Sequence, residues 1–166
     1  MNPHVKSVLV LVAFLAIAFA VAGLGSLATI QNVNGWYADA TKAPWSPPNW
    51  LFGPVWTLLY TAMSVAAWLV WRRRDEVEVR RPLTLYAIQL ALNALWTPVF
   101  FGLYPLIGAA ALWIALVIIV ALDVVVLLTM LAFGKVSNTA AWLLAPYWAW
   151  LLFATTLNAA VAVLNA

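Results

Sequence analysis

The sequence contains no cysteine and only one histidine, His4 at the amino terminus. Without cysteine the chain has no disulfide, no thiolate metal ligand and no cysteine nucleophile. A single terminal histidine also excludes histidine metal clusters and Ser-His-Asp triads. We therefore predict no metal site. No carboxylate pair or base-activated nucleophile marks a firm catalytic residue either.

Charge is scarce as well, because only 8% of the 166 residues are Asp, Glu, Lys or Arg and 67% are hydrophobic. A soluble domain is about 25% charged, so this composition indicates an integral membrane protein. A helical crossing takes about 20 apolar residues, which leaves room for five crossings and little else. The sequence therefore predicts an all-α membrane protein, with one domain over residues 1–166 built as a five-transmembrane-helix bundle.

Five apolar stretches define the predicted spans. The first is longer than a signal-peptide core and has no clear cleavage site, so we interpret it as a membrane span. Charged or turn residues separate the others, with a tight turn predicted at Gly102–Pro105 and a helix N-cap at Ser137 or Asn138. The predicted spans are residues 5–30, 50–71, 82–101, 106–133 and 139–164.

The basic residues lie almost entirely on one side of these spans. Lys42 alone falls on the other side, in the connection between the first and second spans. By the positive-inside rule, the amino terminus is cytoplasmic in a bacterial inner membrane, whereas that connection and the carboxyl terminus lie outside. The net charge of +3 reflects these flanking residues, and we predict no nucleic-acid partner. The residues on the basic side are Lys6, Arg72, Arg73, Arg74, Arg80, Arg81 and Lys135.

The stretch Gly35–Tyr60 holds four of the eleven tryptophans and four of the nine prolines. Its first part, residues 35–49, is called the aromatic loop below. Pro44, Pro47 and Pro48 lack N–H donors and favour extended neighbours, so we predict that the loop is not helical. Water-exposed linkers are rich in glycine and serine rather than tryptophan. This loop is therefore expected to cover or bind something.

Polar and aromatic side chains repeat at helical spacing in three spans, so each set shares one face. Amides are costly in hydrocarbon unless they pair or face a cavity, so we expect Gln89, Asn93 and Asn158 to face the bundle interior. The sets are Trp56, Tyr60 and Met63 in the second span, Gln89, Asn93 and Trp96 in the third, and Tyr147, Trp150, Ala154 and Asn158 in the fifth.

Two interpretations of these faces stay open. In the first, the amides bond neighbouring helices, at about 0.6–2 kcal/mol per hydrogen bond. In the second, which we favour, the three faces and the aromatic loop enclose a cavity for a flat, apolar ligand with polar edges. Trp68, Trp71 and Trp142 instead fit the interfacial tryptophan belt, and we assign them no ligand role.

Two other features lie within the spans. Asp123 is the one charged residue in their interior, without a membrane-embedded Lys or Arg, since Lys6 lies at the very start of the first span. Its carboxyl is therefore expected to be protonated, to meet water or to accept a bond from a hydroxyl, with a ligand or proton role as the functional alternative. Ala87 and Ala91 form a small-xxx-small pair in the third span, which favours a homodimer contact.

Three segments resemble the signature of the translocator protein / tryptophan-rich sensory protein (TspO/MBR) family: WYADATKAPWSPPNWLFGPVWTLLYTAMSVAAWLV, QLALNALWTPVFFG and APYWAWLLFATTLN. They cover about Trp36 to Asn158, and their combination is highly specific. The resemblance implies a five-helix bundle, usually homodimeric, that binds porphyrins and haem precursors, and in animal members cholesterol and synthetic ligands. No cofactor is obligatory, and porphyrin or haem is expected as a ligand.

The resemblance also implies a pocket beneath the first loop. Bacterial members are reported to degrade protoporphyrin in light, with tryptophans at the positions of Trp56 and Trp150 implicated, so these two are the catalytic candidates. The tyrosine and basic residue of the animal cholesterol motif are absent after Asn158, which argues against sterol recognition by that route. Asp123 fits the family's carboxylate in the fourth span only with a shifted register. The implied ligand-binding residues are Trp36, Tyr37, Trp56, Tyr60, Asn93, Trp96, Tyr147, Trp150 and Ala154.

Three functions are considered on this basis. The one we favour is a membrane sensor or regulator that binds tetrapyrroles in a tryptophan-rich cavity closed by the aromatic loop. The alternatives are a transporter of porphyrins or other amphipathic compounds and a light-dependent porphyrin-degrading enzyme. We favour binding because transport requires an alternating-access device, and no inverted repeat is evident in the sequence.

Overall fold

The computed structural model describes residues 2–166, and every regular element among them is helical. A 3₁₀ turn, Asn49–Leu51, leads into the second long helix, and a π-helical turn, Pro98–Gly102, extends the third. The α-helices are α1 (Pro3–Val33), α2 (Trp36–Asp39), α3 (Phe52–Arg72), α4 (Arg80–Thr97), α5 (Tyr104–Ile107), α6 (Ala109–Gly134) and α7 (Asn138–Leu164).

Five helical segments of the described chain are long and apolar enough to cross a membrane. They are α1, α3 with its 3₁₀ turn, α4 with its π turn, α6 and α7. This confirms the predicted all-α, five-helix architecture of a multi-pass integral membrane protein. The fourth crossing starts at Ala109 rather than at residue 106, because Gly108 has a φ of 60° and interrupts the helical path.

The five long helices form a closed ring in the order α1, α3, α7, α6 and α4. Helix α1 packs against α3 and α4 and buries little of its surface, chiefly Ala18 and Gly25. A Cβ on Gly25 would lie 3.3 Å from the Thr97 hydroxyl oxygen, so the glycine permits close contact with the end of α4. A side chain on Gly23 would meet only open space, so that glycine has no such role.

The connection between α4 and α6 is longer than the tight turn predicted at Gly102–Pro105. Pro98 has no N–H to continue the α-helical pattern, and the helix widens into the π turn. There the Leu103 N–H donates to the Pro98 carbonyl at 3.1 Å, and α5 follows before the break at Gly108. The prediction of a single tight turn was therefore wrong.

The aromatic loop is partly helical, which corrects the prediction that it contains no helix. Helix α2 (Trp36–Asp39) forms one turn well before Pro44, so the prolines do not restrict its backbone. The proline-rich part of the loop is non-helical up to the 3₁₀ turn, as predicted. At the opposite end of the bundle, Ser137 caps α7 by accepting the Ala140 N–H at 3.3 Å, which confirms one of the two proposed N-caps.

Candidate functional site

A hydrogen-bonded network of two tyrosines and two amides occupies the bundle interior. The Tyr60 hydroxyl donates to Asn93 Oδ1 at 2.6 Å, and Asn93 Nδ2 donates to the Tyr147 hydroxyl at 3.0 Å. That hydroxyl in turn donates to Gln89 Oε1 at 2.9 Å. Because Tyr60 lies on α3, both amides on α4 and Tyr147 on α7, the amide–tyrosine network connects three crossings.

Trp56 lies against this network, one helical turn before Tyr60 on α3. Its ring centroid is 5.4 Å from that of Tyr60 and 6.1 Å from that of Tyr147, with an edge-on approach to Tyr147. Ala154, on α7, is only 7% exposed and belongs to the same core. The structure thus brings together Trp56, Tyr60, Asn93 and Tyr147, all four of which were selected from the sequence.

Trp150 lies farther along α7 and packs between Phe52 and Phe153, at centroid distances of 5.7 and 5.6 Å. Its Nε1–H is buried and has no hydrogen-bond partner within residues 2–166. A buried donor without an acceptor costs about 1–3 kcal/mol, so it usually has a structural or functional explanation. An acceptor atom of a bound ligand would provide one.

Trp96 connects the amide–tyrosine network to a second apolar cluster nearer the aromatic loop. Its indole donates to Asn158 Oδ1 at 3.0 Å, and Asn158 Nδ2 donates to the Leu112 carbonyl at 3.0 Å. The indole also stacks on Phe100 with a centroid distance of 5.2 Å. Trp96 packs against both clusters, so it links the core to the underside of the loop.

The aromatic loop begins on this second cluster. The Trp36 ring stacks on Tyr104 with a centroid distance of 3.9 Å, and its Nε1–H donates to the Phe101 carbonyl at 2.9 Å. Tyr37 packs edge-on against Phe100 and Phe101. Burial raises the pKa of the Tyr37 phenol because the ionised form loses hydration. Trp36 and Tyr37 therefore lie over the π turn, apart from Trp56 and Tyr60.

The rest of the loop reaches across to the carboxyl end of α7. The Thr41 N–H donates to Asn165 Oδ1 at 2.9 Å, and Asn165 Nδ2 donates back to the Thr41 carbonyl at 2.9 Å. Trp45 makes a longer bond of 3.4 Å to the Thr156 hydroxyl. The loop is therefore attached both to the π turn and to α7, and it spans that end of the bundle.

The three amides predicted to face inward do so. Gln89, Asn93 and Asn158 are 1%, 5% and 1% exposed, and each is bonded to another helix, as the first interpretation of the polar faces expected. Two cavities of the described chain lie at the opposite end, among arginines, and neither reaches the amide–tyrosine network. In this structure the aromatic and amide side chains of the candidate site pack on one another.

The Asp123 carboxyl is hydrogen-bonded to a hydroxyl, which is one of the three possibilities that the sequence left open. The Thr155 hydroxyl donates to Asp123 Oδ2 at 2.7 Å, and the Trp148 indole donates to the Asp123 backbone carbonyl at 3.1 Å. Oδ1 is buried and unbonded within residues 2–166. Sequence reasoning missed Thr155 as the partner, because the pairing depends on how α6 and α7 are aligned side by side.

Comparison with known proteins identifies the family of this chain. The model of the TspO/MBR family matches residues 13–164. The chain belongs to the TspO/MBR family. This confirms the resemblance of the three tryptophan-rich segments, and the TspO/MBR match includes every helix that contributes to the candidate site.

Several relatives in the family are similar over most of their length. The tryptophan-rich protein TspO of Archaeoglobus fulgidus is 44% identical, with 97% of each chain covered. The translocator protein of Homo sapiens is 44% identical over 74% of this chain and 70% of its own. The tryptophan-rich sensory protein of Cereibacter sphaeroides is 39% identical over 87% of this chain and 84% of its own.

Proposed function

We propose that this TspO/MBR protein is a membrane sensor or regulator that binds tetrapyrroles, such as protoporphyrin IX and haem precursors, beneath the aromatic loop. Family membership and relatives named translocator protein and tryptophan-rich sensory protein support a sensor or translocator role in the membrane. The observation that carries the ligand proposal is the convergence of Trp56, Tyr60, Asn93 and Tyr147 from three helices. The loop lies across the same end of the bundle.

The chemistry of these groups suits a flat aromatic macrocycle. Indole and phenol rings stack on an apolar face, while amides and hydroxyls bond to polar edges. The unbonded Trp150 Nε1–H is an available donor for a carboxylate at such an edge. Neither cysteine nor histidine would ligate haem iron there, since the chain has no cysteine and its only histidine is His4, outside the cluster.

Binding requires a change of conformation, because the candidate site is closed by its own side chains. A ligand must replace contacts such as the 5.4 Å packing of Trp56 on Tyr60. The closed state therefore reduces apparent affinity by the fraction of molecules that are open. The aromatic loop is the element whose release would expose the cluster, because its attachments to α4 and α7 lie outside the amide–tyrosine network.

The test is a titration of the detergent-solubilised protein in the dark with protoporphyrin IX, haem and cholesterol, followed by tryptophan emission. We expect protoporphyrin IX to quench emission at micromolar concentration or below, which corresponds to roughly −8 kcal/mol. Trp56→Phe and Trp150→Phe should each weaken binding by about tenfold, or about 1.4 kcal/mol. Trp142→Phe is the matched control, because this tryptophan is 76% exposed and lies outside the site.

If none of the three compounds binds at concentrations below about tens of micromolar, the proposal is rejected. The same preparation separates the two alternatives. Uptake of protoporphyrin IX into liposomes that contain the protein would indicate transport. Light-driven loss of the porphyrin Soret band over many turnovers, abolished by Trp56→Phe or Trp150→Phe, would indicate an enzyme.

We further propose that the protein forms homodimers through α4 and lies with its arginine-rich end in the cytoplasm. Ala87 and Ala91 are both exposed on the outer face of α4, where small side chains permit close approach of a second helix. Ala87→Leu should reduce dimer recovery after chemical cross-linking, whereas Leu106→Ala, at the exposed Leu106 on α5, should not. Protease accessibility of the amino and carboxyl termini in sealed vesicles tests the orientation.

A further inference from the structure

A polar cavity opens at the arginine-rich end of the bundle, far from the aromatic loop. It has a volume of about 290 Å³ and lies between the last turn of α3 and the first turn of α7. The site proposed above uses none of its side chains. The lining residues are Leu69, Arg72, Arg73, Glu76, Ser137 and Thr139.

Two tryptophans fix the depth of this cavity relative to the membrane. The Arg72 guanidinium lies 4.9 Å from the centroid of the Trp68 ring, and that of Arg74 lies 3.7 Å from the Trp71 ring. Indole rings of membrane proteins concentrate at the level of the lipid headgroups, and arginines at helix ends extend toward the same region. The cavity therefore lies where phospholipid headgroups meet the protein.

The charges around the cavity leave one cation uncompensated. Arg73 pairs with Glu76 at 3.1 Å, and Arg74 pairs with Asp75 at 3.1 Å. Arg72 lines the cavity and makes no ion pair within residues 2–166, and its guanidinium lies over the Trp68 ring. Glu76 also lines the cavity, so its carboxylate opposes any anion there, in part offset by Arg73.

The lining of the cavity is apolar on the side toward the membrane interior and polar elsewhere. Leu69 lies one helical turn before Arg72 on α3 and gives the cavity an apolar wall toward the membrane interior. The hydroxyls of Ser137 and Thr139 border it from α7. A guanidinium and hydroxyls beside an apolar wall match a phosphate group that is attached to a glycerol and acyl chains.

We propose that this cavity binds the phosphate headgroup of an anionic phospholipid, with Arg72 as the principal cation and Leu69 against the lipid's glycerol or first acyl carbons. Basic pockets between transmembrane helices are a known mode of anionic-lipid recognition. Specific binding here links the ends of α3 and α7, two neighbours in the ring that also carry Trp56, Tyr60 and Tyr147 of the candidate site.

Native mass spectrometry of the intact detergent-purified protein tests the proposal with dioleoyl phosphatidylglycerol and dioleoyl phosphatidylcholine. We expect one molecule of phosphatidylglycerol to be retained in preference to phosphatidylcholine. Arg72→Gln should lower that affinity by about fivefold, the value of one basic residue at a lipid surface. Glu76→Gln should raise it, because the variant removes the opposing carboxylate and releases Arg73.

Arg81→Gln is the matched control, since it removes the same charge from the same end of the bundle but outside this cavity. An equal loss of affinity in Arg72→Gln and Arg81→Gln would show general attraction by surface charge and would overturn the proposal. Retention of both lipids to the same degree would overturn it too. Displacement of phosphatidylglycerol by an equal concentration of inorganic phosphate would reject the lipid as the ligand, and we expect none.

Discussion

The two ends of the bundle use tryptophan in different ways. At the loop end, the indoles of Trp36 and Trp96 are turned inward and donate to a backbone carbonyl and a buried amide. At the other end, Trp68 and Trp71 lie beneath arginine guanidinium groups at the rim of the bundle, and the Trp68 indole also donates to the Ser7 carbonyl of α1 at 2.9 Å. The neighbouring residues decide which use applies: amides and other aromatic rings at one end, and a run of arginines at the other.

The hydrogen bonds that fasten the loop and the ion pairs of the arginine-rich end differ in how far apart their partners lie in the sequence. Thr41 and Asn165, which fasten the aromatic loop, are 124 positions apart. The ion pair between Arg73 and Glu76 joins neighbours three positions apart. Long-range bonds define the arrangement of the helices, whereas a local ion pair mainly shapes its own turn. We therefore expect substitutions that break the long-range bonds to have larger consequences for the fold than substitutions in the ion pairs.

The largest effect should come from Asn93→Leu, which removes the acceptor for Tyr60 and the donor to Tyr147. Two interhelical bonds are lost. The Tyr60 hydroxyl loses its partner and the Tyr147 hydroxyl keeps only Gln89, so the unfolding free energy should fall by about 2 kcal/mol. Thermal unfolding in detergent measures the change. Asn138→Leu is the control, because Asn138 is exposed at the start of α7. Equal destabilisation by both variants would contradict the network's structural role.

A smaller effect is expected from Asn165→Ala, which breaks the reciprocal bonds between Thr41 and Asn165. The loop should open more often, and hydrogen exchange at the Thr41 amide should accelerate by about fivefold, equivalent to about 1 kcal/mol. Asn49→Ala, at the exposed first position of the 3₁₀ turn, should leave that exchange rate unchanged. If exchange at Thr41 is equally fast in wild type, the two bonds do not fasten the loop.

The burial of Tyr37 should appear as a pH effect. Its folded-state pKa lies above the usual 10.0 because burial disfavours the phenolate. The contribution of the neutral Tyr37 phenol to the free energy of unfolding is therefore complete below about pH 10. It is lost as the pH rises through the folded-state pKa. The difference in tyrosine absorbance between wild type and Tyr37→Phe isolates this titration. A difference curve centred at the ordinary tyrosine value would show that Tyr37 is hydrated.

The smallest change in stability is expected from a substitution at the arginine-rich end. The side chains of Arg73 and Glu76 are 55% and 61% exposed, so their ion pair is well screened by water. Glu76→Gln should change the unfolding free energy by no more than about 0.5 kcal/mol, with the difference disappearing at high salt. A loss comparable to that of Asn93→Leu would remove the distinction between the two ends.

Periodicity was sufficient to predict the inward faces. Gln89, Asn93 and Asn158 follow helical spacing among apolar residues, and the cost of burying amides in hydrocarbon determines where they point. The five crossings were predicted for a similar reason, since lipid permits only runs of apolar helix. The catalytic and ligand roles of Trp56 and Trp150 stay predictions.

The features that sequence reasoning missed depend on contacts between distant segments. In the π turn, the Phe101 carbonyl accepts a hydrogen bond from the indole of Trp36, which lies 65 positions away in the sequence. The bond from Thr155 to Asp123 depends on the alignment of α6 with α7. No local pattern in either segment encodes these pairings, because each results from packing in the assembled ring.

The most direct test of the ligand site is fluorine NMR of protein labelled with fluorotryptophan, with resonances assigned by single Trp→Phe variants. Added protoporphyrin IX shifts the signals of nearby indoles through its ring current. We predict large shifts at Trp56 and Trp150 and none at Trp113 and Trp142, which are 45% and 76% exposed on the outside of the bundle. Shifts confined to Trp113 and Trp142 would place the porphyrin on the lipid-facing surface and contradict the account.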